Sequence, residues 1–474
     1  MPCGCNGKGP GYASPQEAIK GPREKVIFVT APHATDGHDA LIVVDVDPQS
    51  SSYQQVVSMV KFPNKGDEVH HYGWNACSSC FDKPSAKRTH LILPCLNSDR
   101  IYVVNVVNER GIFLEKTIEP EALHKFDVSF PHTSHCLANG QIMISTLGDA
   151  KGNAKGDFLL LDGITFEPIG TWCKETVPFN YDFWYQPKRD VMISTEWGAP
   201  KLIKQGFNPE HVMQGQYGHS VHVHRWSTHE LLQSVALPKP SGYLPLEVRF
   251  HHNPDSQHAF TGSALGSAIF HLAPKTDNST EYHANEVITV PSKKVTNWAL
   301  PDMPSLITDI LVSMDDKYLY FSNWLHGDVR QYDISDPAHP KLTGKVFLGG
   351  SIHKESGVRV TEDNELKDQP NALYLKGKRI EGGPQMLQLS LDGKRLYVTT
   401  SLYRKWDEQF YPNLKKGASM MLLHVDVENG GMTLDEHFLI DFGEIEDGPY
   451  LAHEMRYPGG DCTSDIWVGN PSKI

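Results

Sequence analysis

Histidine is the residue type that offers this sequence the most chemistry, because 24 of its 474 residues are histidines. Neutral imidazole is a ligand for Cu, Zn, Fe and Ni, and two histidines that are adjacent in a loop or three positions apart can reach one ion. The candidate ligands are His70, His71, His132, His135, His251, His252, His326 and His453. The sequence therefore predicts a histidine-ligated metal site and leaves the identity of the metal open.

Carboxylates and thiols supply the other candidate groups. Glu196, Asp309 and Glu454 are candidate catalytic residues, since a carboxylate beside a metal can act as a general base. Cys77 and Cys80 have the CxxC spacing of a redox-active dithiol. A zinc ribbon would need a second such pair, which the sequence lacks, so we interpret Cys77 and Cys80 as loop thiols, with redox activity as their candidate role.

These residues must be positioned by β-structure. Short β-branched and aromatic runs alternate with Gly, Asn, Asp and Pro turns, and no long helical periodicity is present. Residues 313–322 align with residues 390–399, each reading as a strand, a tight Asp-Asp or Asp-Gly turn and a second strand. Repeated hairpins of this kind indicate an all-β repeat architecture.

Seven such units can be counted. Their second strands lie near Phe28, Leu93, Ile144, Ile193, Phe260, Phe321 and Val398. Seven units of about 68 residues predict a seven-bladed β-propeller with long inter-strand insertions, of which residues 354–381 are the clearest. We expect a flexible N-terminal segment over residues 1–20 and a single propeller domain over residues 21–474. A two-domain β-sandwich is the alternative.

The repeats place polar residues at one mouth of the predicted channel. A polar side chain stands 12 to 14 positions before the Ser or Thr that closes five of the second strands, namely His132, Asp182, Glu247, Asp309 and Gln385, and Glu454 fits the same place in the last segment. Hairpin geometry brings Glu196, His326 and Tyr403 near the same mouth. A metal would neutralise such a ring, whereas hydrogen bonds between blades and ordered water are the open alternative.

Composition excludes several classes of partner. The formal net charge is −13, and no Lys/Arg cluster suited to phosphates is present, so we expect no nucleic-acid partner. No apolar stretch is long enough to span a bilayer, which leaves only peripheral membrane association open. The expected location is the cytosol, with the nucleus as a second location.

Several motifs resemble the selenium-binding protein family, whose animal members are methanethiol oxidases. The motifs extend over nearly the whole chain and include Gly73-Trp74-Asn75, Cys77-Ser78-Ser79-Cys80, His132-Thr133-Ser134-His135-Cys136, Ser194-Thr195-Glu196-Trp197, Asn323-Trp324-Leu325-His326 and Arg456-Tyr457-Pro458-Gly459-Gly460. The resemblance implies a seven-bladed propeller that oxidises methanethiol with O₂ and water to formaldehyde, hydrogen sulfide and hydrogen peroxide.

The resemblance also implies copper as the cofactor. The histidines that match the family motifs are His70, His71, His132, His135, His326 and His453, and His252 ranks above His251 because relatives can carry an apolar residue at the earlier position. Relatives credited with covalent selenium carry Cys where this chain has Gln54, so attachment at that position is not available.

Two other functions fit the sequence less well. The first is a non-catalytic propeller that acts as a scaffold or sensor, binding protein partners on its faces and soft electrophiles or selenium through its thiols. The second is a lactonase-like hydrolase that uses Ca²⁺ at the carboxylate-rich mouth, but Ca²⁺ prefers oxygen ligands and the predicted mouth is rich in histidine.

Overall fold

The computed structural model describes residues 9–277 and 279–469. Within these ranges the chain is all-β, with antiparallel pairing throughout and helices of seven residues or fewer. Val, Ile, Phe and Tyr are frequent in the strands and are mostly buried there, which matches the preference of these residues for a pleated surface. None of the helices in this part of the chain could span a membrane.

Seven sheets of four or five strands follow one another along the described residues. Sheet 1 contains β1 (Val26–Ala31), β2 (His38–Asp45) and β3 (Val56–Lys65); sheet 2 contains β4 (Gly73–Trp74), β5 (His90–Pro94), β6 (Ile101–Asn105) and β7 (Phe113–Ile118). Sheet 3 contains β8 (Ser129–Cys136), β9 (Gln141–Gly148), β10 (Ala154–Asp162) and β11 (Pro168–Thr171); sheet 4 contains β12 (Phe183–Gln186), β13 (Val191–Ser194), β14 (Ser220–Arg225) and β15 (Leu231–Ala236).

The later sheets have the same order. Sheet 5 contains β16 (Pro245–Phe250), β17 (Ala259–Ser263), β18 (Ala268–Pro274) and β19 (Tyr282–Thr289), followed by the short strands β20 (Lys293–Thr296) and β21 (Asp302–Met303). Sheet 6 contains β22 (Ile307–Val312), β23 (Tyr318–Asn323), β24 (Asp328–Asp333) and β25 (Lys341–Phe347), followed by β26 (Arg359–Glu362), β27 (Tyr374–Leu375) and β28 (Lys378–Arg379). Sheet 7 contains β29 (Leu387–Leu389), β30 (Arg395–Thr399), β31 (Ser419–Val425), β32 (Met432–Leu434) and β33 (Ile440–Asp441), and the last strand is β34 (Met455–Arg456).

Sheet 1 joins the two ends of the chain. The strand order β3-β2-β1-β34 places the last strand beside the first, with Phe28 opposite Arg456 and Val29 opposite Met455. The pairing brings the residues ahead of β34 to the same place as those ahead of the first strands of the other sheets. Six of the apolar residues used to count units lie in the second strands of sheets 2 to 7, and the seventh, Phe28, lies in β1, which stands second after β34 in the order of sheet 1.

The helices are short, and the predicted insertion carries strands of its own. Residues 354–381 carry β26, β27 and β28, and β26 pairs with β20. The helices are α1 (Pro15–Ala18), α2 (Pro120–His124), α3 (Pro200–Ile203), α4 (Pro209–Met213) and α5 (Arg404–Phe410), with 3₁₀ turns at Ser78–Cys80, Pro187–Arg189 and Pro412–Lys416. Residues 1–8 of the segment predicted to be flexible lie outside the described residues, whereas Ala18 of α1 is fully buried in the core.

Candidate metal centre

Three buried histidines meet where sheets 2 and 3 adjoin. His70 and His71 lie just ahead of β4, and His132 lies in β8. One ring nitrogen of each residue lies within 4.8 Å of the others. The ring centroids of His71 and His132 are 4.3 Å apart. Three imidazole nitrogens at this spacing can hold one transition-metal ion after small side-chain adjustments.

A fourth histidine completes the group. His453, two residues ahead of β34, stacks on His70 with ring centroids 3.7 Å apart, and its centroid lies 5.0 Å from that of His71. We call His70, His71, His132 and His453 the histidine cluster. The pairing of β34 with β1 is what brings His453 to residues more than 300 positions earlier in the chain.

Neighbouring groups orient the cluster and leave its inner nitrogens free. His132 Nδ1 lies 3.1 Å from Thr133 Oγ1, and His453 Nδ1 lies 2.8 Å from the carbonyl oxygen of Ser401. The Nε2 atoms of all four rings have no hydrogen-bond partner among the described residues. His132 and His453 are thus held through one ring nitrogen with the other free, which is the usual arrangement of histidine metal ligands, whereas His70 has no described hydrogen bond at either ring nitrogen.

Burial keeps these imidazoles neutral. Desolvation lowers the pKa of His70, His71 and His132 well below the ordinary value, and neighbouring histidines or arginines lower it further. Desolvation also lowers the pKa of His453 to about 3. A neutral imidazole has a lone pair available for a metal, so protons compete weakly for this site at neutral pH.

Four buried carboxylates lie beside the cluster. Asp182, Glu247, Asp309 and Glu454, which we call the carboxylate layer, lie in or directly ahead of the first strands of four sheets. Glu454 Oε1 lies 3.3 Å from His71 Nδ1, and Glu247 Oε1 lies 3.9 Å from His71 Nε2. The carboxylate layer therefore adjoins the histidine cluster through His71.

Two buried arginines neutralise part of this negative charge. Arg249 lies 2.6 Å from Asp182, 2.7 Å from Glu247 and 3.8 Å from Asp309, and Arg456 pairs with Glu454. Burial raises the pKa of Asp309 to about 7 and raises that of Glu247 well above its usual value. Some carboxyl groups of the layer therefore carry protons near neutral pH and can exchange them.

Aromatic rings also contact the cluster. The centroid of Tyr181 lies 4.1 Å from that of His132, and Trp197 lies 5.4 Å from Tyr181. Tyr403 lies 6.2 Å from His70 and 6.1 Å from Trp197. We call Tyr181, Trp197 and Tyr403 the aromatic wall. The cluster thus has both aromatic rings and carboxylates as neighbours.

Besides His251, whose Nδ1 lies 2.8 Å from Ser256 Oγ, three predicted ligands lie in other surroundings. His135 packs against Phe183 and Trp184, with centroids 5.1 Å away in each case. His252 Nε2 lies 3.0 Å from the carbonyl oxygen of Val312, and His326 Nε2 lies 3.2 Å from that of Met303. No described contact joins any of these three to the histidine cluster.

The predicted catalytic carboxylates separate in a similar way. Glu454 and Asp309 belong to the carboxylate layer. Glu196 instead accepts backbone hydrogen bonds from His219 and Ser220 at 2.8 and 2.7 Å, and its other oxygen lies 3.0 Å from His222 Nε2. Its carboxylate therefore holds the start of β14.

Cys77, Cys80 and Gln54 lie away from the cluster. Cys77 and Cys80 are buried. Cys77 directly precedes the 3₁₀ turn Ser78–Cys80, and Cys80 ends it. The Gln54 amide donates to the carbonyl oxygen of His437, and its oxygen accepts from Lys376 Nζ at 2.6 Å. Gln54 therefore ties the loop after β2 to two distant parts of the chain.

Sequence reasoning missed Arg249, Arg456 and Tyr181. A signal for the arginines was present, because each follows a glutamate of the carboxylate layer by two positions, in Glu247-Val248-Arg249 and Glu454-Met455-Arg456. Residues two apart in a strand share a face, so this spacing pairs the charges. Tyr181 gave no such signal, since a tyrosine ahead of a strand is ordinarily a core residue.

Known proteins match this chain over nearly its whole length. The family model described as 56kDa selenium binding protein (SBP56) matches residues 6–468. Methanethiol oxidase of Homo sapiens is 55% identical over 472 residues, which is 98% of this chain and 99% of that protein. Methanethiol oxidase of Xenopus laevis is 56% identical over the same shares. These relatives bear the name of an enzyme, in agreement with the enzyme predicted from the sequence.

Solved structures support the fold. The X-ray structure of a hypothetical selenium-binding protein from Sulfolobus tokodaii has a TM-score of 0.85 and 35% identity, and the match covers 96% of this chain and 98% of that one. The periplasmic gluconolactonase of Pseudomonas aeruginosa has a TM-score of 0.56 at 10% identity, over 91% and 98% of the two chains. The second likeness concerns the fold alone.

Proposed function

The chain belongs to the 56 kDa selenium-binding protein family, as its motifs predicted, and from this premise we propose that it is a methanethiol oxidase whose histidine cluster holds copper. The reaction converts methanethiol, O₂ and water to formaldehyde, hydrogen sulfide and hydrogen peroxide. The substrate carbon and the thiol together lose two electrons and two protons, which O₂ takes up to become hydrogen peroxide.

The observation that carries the proposal is the set of free nitrogens in the histidine cluster. Four buried Nε2 atoms without partners among the described residues would each cost free energy if nothing bound them. Imidazole nitrogens suit copper, and His70, His71, His132 and His453 would hold it. When bound, the ion supplies one-electron chemistry and attracts a thiolate sulfur.

The aromatic wall fits the methylthio group of the substrate. A sulfur atom packs favourably about 5 Å from an aromatic ring, with a gain of about 0.3–1.5 kcal/mol. Tyr181, Trp197 and Tyr403 therefore exclude water and orient a small apolar thiol against the cluster. A rigid aromatic surface also limits the length of the alkyl group that can enter.

The carboxylate layer handles protons. Glu454 lies 3.3 Å from Nδ1 of His71, and Glu247 lies 3.9 Å from Nε2 of the same ring. A carboxylate oxygen of this pair can therefore take a proton released from the substrate. Arg249 and Arg456 hold these carboxylates in place. Protons stored in the layer can then be returned to the reduced oxygen without crossing to solvent.

We also propose that the seven large sheets are the blades of a seven-bladed propeller. Its support is the recurrence of four-stranded antiparallel sheets and the pairing of β34 with β1. In this arrangement the first strands line a central channel, which places the histidine cluster and the carboxylate layer around one axis.

A paired substitution tests the metal site. His132→Ala removes a nitrogen of the cluster, so we expect copper affinity and methanethiol-dependent O₂ uptake to fall together, each by about tenfold or more. Copper content is measured by elemental analysis and O₂ uptake with an oxygen electrode.

The matched control is His326→Ala, which removes another buried histidine. Since His326 contacts the carbonyl of Met303 rather than the cluster, this variant is expected to retain its copper. Normal copper content and turnover in His132→Ala, or loss of copper in His326→Ala alone, would contradict the proposed ligand set.

A further inference from the structure

Three buried thiols surround one serine hydroxyl at the junction of sheets 2 and 3. Ser79 Oγ lies 3.2 Å from Cys77 Sγ, 3.8 Å from Cys80 Sγ and 3.9 Å from Cys136 Sγ. Cys77 and Cys80 are close in sequence, whereas Cys136 is the last residue of β8. The CxxC motif thus has a third thiol beside it that the sequence spacing does not show.

The close approach of β4 and β8 creates this grouping. A Cβ atom at Gly73 would collide with the carbonyl oxygen of Ser134, so only glycine lets the two strands come this near. Cys77 lies three residues after β4, and Cys136 ends β8. Tyr185 fixes the backbone at Cys136 by donating a hydrogen bond from its hydroxyl to the carbonyl oxygen of that residue.

The thiols differ in their hydrogen bonds. Cys77 Sγ lies 3.2 Å from Ser79 Oγ. Burial opposes ionisation of Cys77, but the neighbouring Cys136 thiol and the Ser79 hydroxyl outweigh it, so the pKa of the Cys77 thiol lies below its usual value. Cys80 instead donates its proton to the carbonyl oxygen of Leu137 at 3.6 Å, and burial raises its pKa. Cys77 is therefore the nucleophile of the three, and Cys136, whose sulfur is not held by a carbonyl oxygen of the described residues, is its partner.

We propose that Cys77 and Cys136 form a peroxide-oxidised dithiol that closes a disulfide between sheets 2 and 3. The Cys77 thiolate attacks one oxygen of hydrogen peroxide and breaks the O–O bond, which gives a sulfenic acid and hydroxide. The sulfur of Cys136 then attacks Cys77, the S–O bond breaks, and water leaves. Two thiols are oxidised by two electrons in total, and one peroxide is reduced to two waters.

This disulfide would lie next to the elements that position the histidine cluster. His70 and His71 precede β4, and His132 lies in β8, four residues before Cys136. Asp465 fastens the turn between the thiols, because it accepts from the backbone N–H of Ser78 at 2.8 Å and pairs with Arg88. Oxidation would therefore cross-link the segment around β4 to β8, and together these carry three of the cluster's histidines.

Peptide mapping without reductant tests the proposal. The full-length protein is treated with added hydrogen peroxide, so the outcome is independent of methanethiol turnover. We expect one peptide with Cys77 linked to one peptide with Cys136. The mass of the linked pair should be lower than the sum of the two reduced peptides by two hydrogen atoms. Cys173, the more exposed thiol whose pKa burial raises, is expected to react later and serves as the internal reference.

Two variants sharpen the result. Cys136→Ser removes the resolving thiol, so Cys77 should accumulate as a sulfenic acid that dimedone traps. Cys80→Ser is the matched control and should still form the Cys77–Cys136 link. Two results for the wild-type protein would overturn the proposal. One is a Cys77–Cys80 link, and the other is oxidation of Cys173 while Cys77 and Cys136 remain reduced.

Discussion

At the scale of single residues, the spacing of two histidines means different things in different elements. His132 and His135 are three apart, which would let them share an ion from a loop, but both lie in β8, where a register shift between Pro131 and Ser134 re-aims the side chains on either side of it. His132 therefore faces the cluster and His135 packs among the aromatic rings of sheet 4. The spacing of the two histidines does not show this difference, because it depends on the strand in which they lie.

Position along a strand explains a second case. Glu247 lies in the first half of β16, and His252 lies two residues beyond its end. Because a strand rises about 3.3 Å per residue, five residues carry His252 about 16 Å from the level of the carboxylate layer. The register of the repeats located His132 at the start of a first strand. The prediction placed His70, His71, His453 and also His252 near the same mouth without a strand position for any of the four.

The aromatic wall leads to a prediction about substrate size. Trp197→Leu should enlarge the space beside Tyr181 and His132, so the ratio of kcat/KM for propanethiol to that for methanethiol should rise by about tenfold, since each added methylene is worth about 1–3 kcal/mol in a pocket. The ratio is measured with an oxygen electrode on both thiols.

Trp226→Leu is the control for this prediction. Trp226 stacks on Tyr185 with centroids 4.4 Å apart and has no described contact with the aromatic wall. An unchanged ratio in Trp197→Leu, or an equal rise in both variants, would show that the wall does not select substrate size.

At the scale of elements, α5 illustrates what the sequence could and could not predict. The strands were predictable because apolar residues alternate or run together between turn residues, and the seven second strands lie where the pattern placed them. The seven-residue α5 is too short to show helical periodicity. Tertiary contacts hold it, since Trp406 packs 5.8 Å from Trp197 and Gln409 bonds the backbone of Phe207.

The carboxylate of Asp407 in α5 predicts a pH dependence of stability. Asp407 accepts from Ser401 Oγ and from the backbone N–H of Leu402, and burial raises its pKa to about 7. Because the folded state holds this proton more tightly than the unfolded chain, its contribution to stability is full below about pH 4 and is lost as pH rises through about 7. Asp407→Asn should remove this part of the decline.

Urea unfolding at several pH values checks the prediction. The free energy of unfolding of the wild type minus that of Asp407→Asn should fall between pH 5 and pH 8, by about 1 kcal/mol or more. Gln409→Ala, on the same helix and without an ionisable side chain, is the control and should give a difference that does not vary with pH. A constant difference for Asp407→Asn would mean that its carboxyl group does not titrate in this range.

At the scale of the whole molecule, the site depends on bringing distant parts of the chain to one place. The histidine cluster and the carboxylate layer take residues from β34 and from the first strands of sheets 2 to 6, and β34 reaches them by pairing with β1. The repeat count predicted this arrangement in outline. It did not predict that Arg249 and Arg456 neutralise part of the negative charge of the carboxylate layer. This pairing depends on the sheets, which place the two arginines next to the four carboxylates.

The central claim is that copper in the histidine cluster makes this chain a methanethiol oxidase, and copper titration of metal-free protein tests it most directly. O₂ uptake with methanethiol is followed in the same vessel as the bound copper is counted. The account predicts that uptake rises with bound copper, levels off at about one ion per chain and yields one sulfide per O₂. Equal uptake without metal, or a filled site without O₂ uptake, would contradict it.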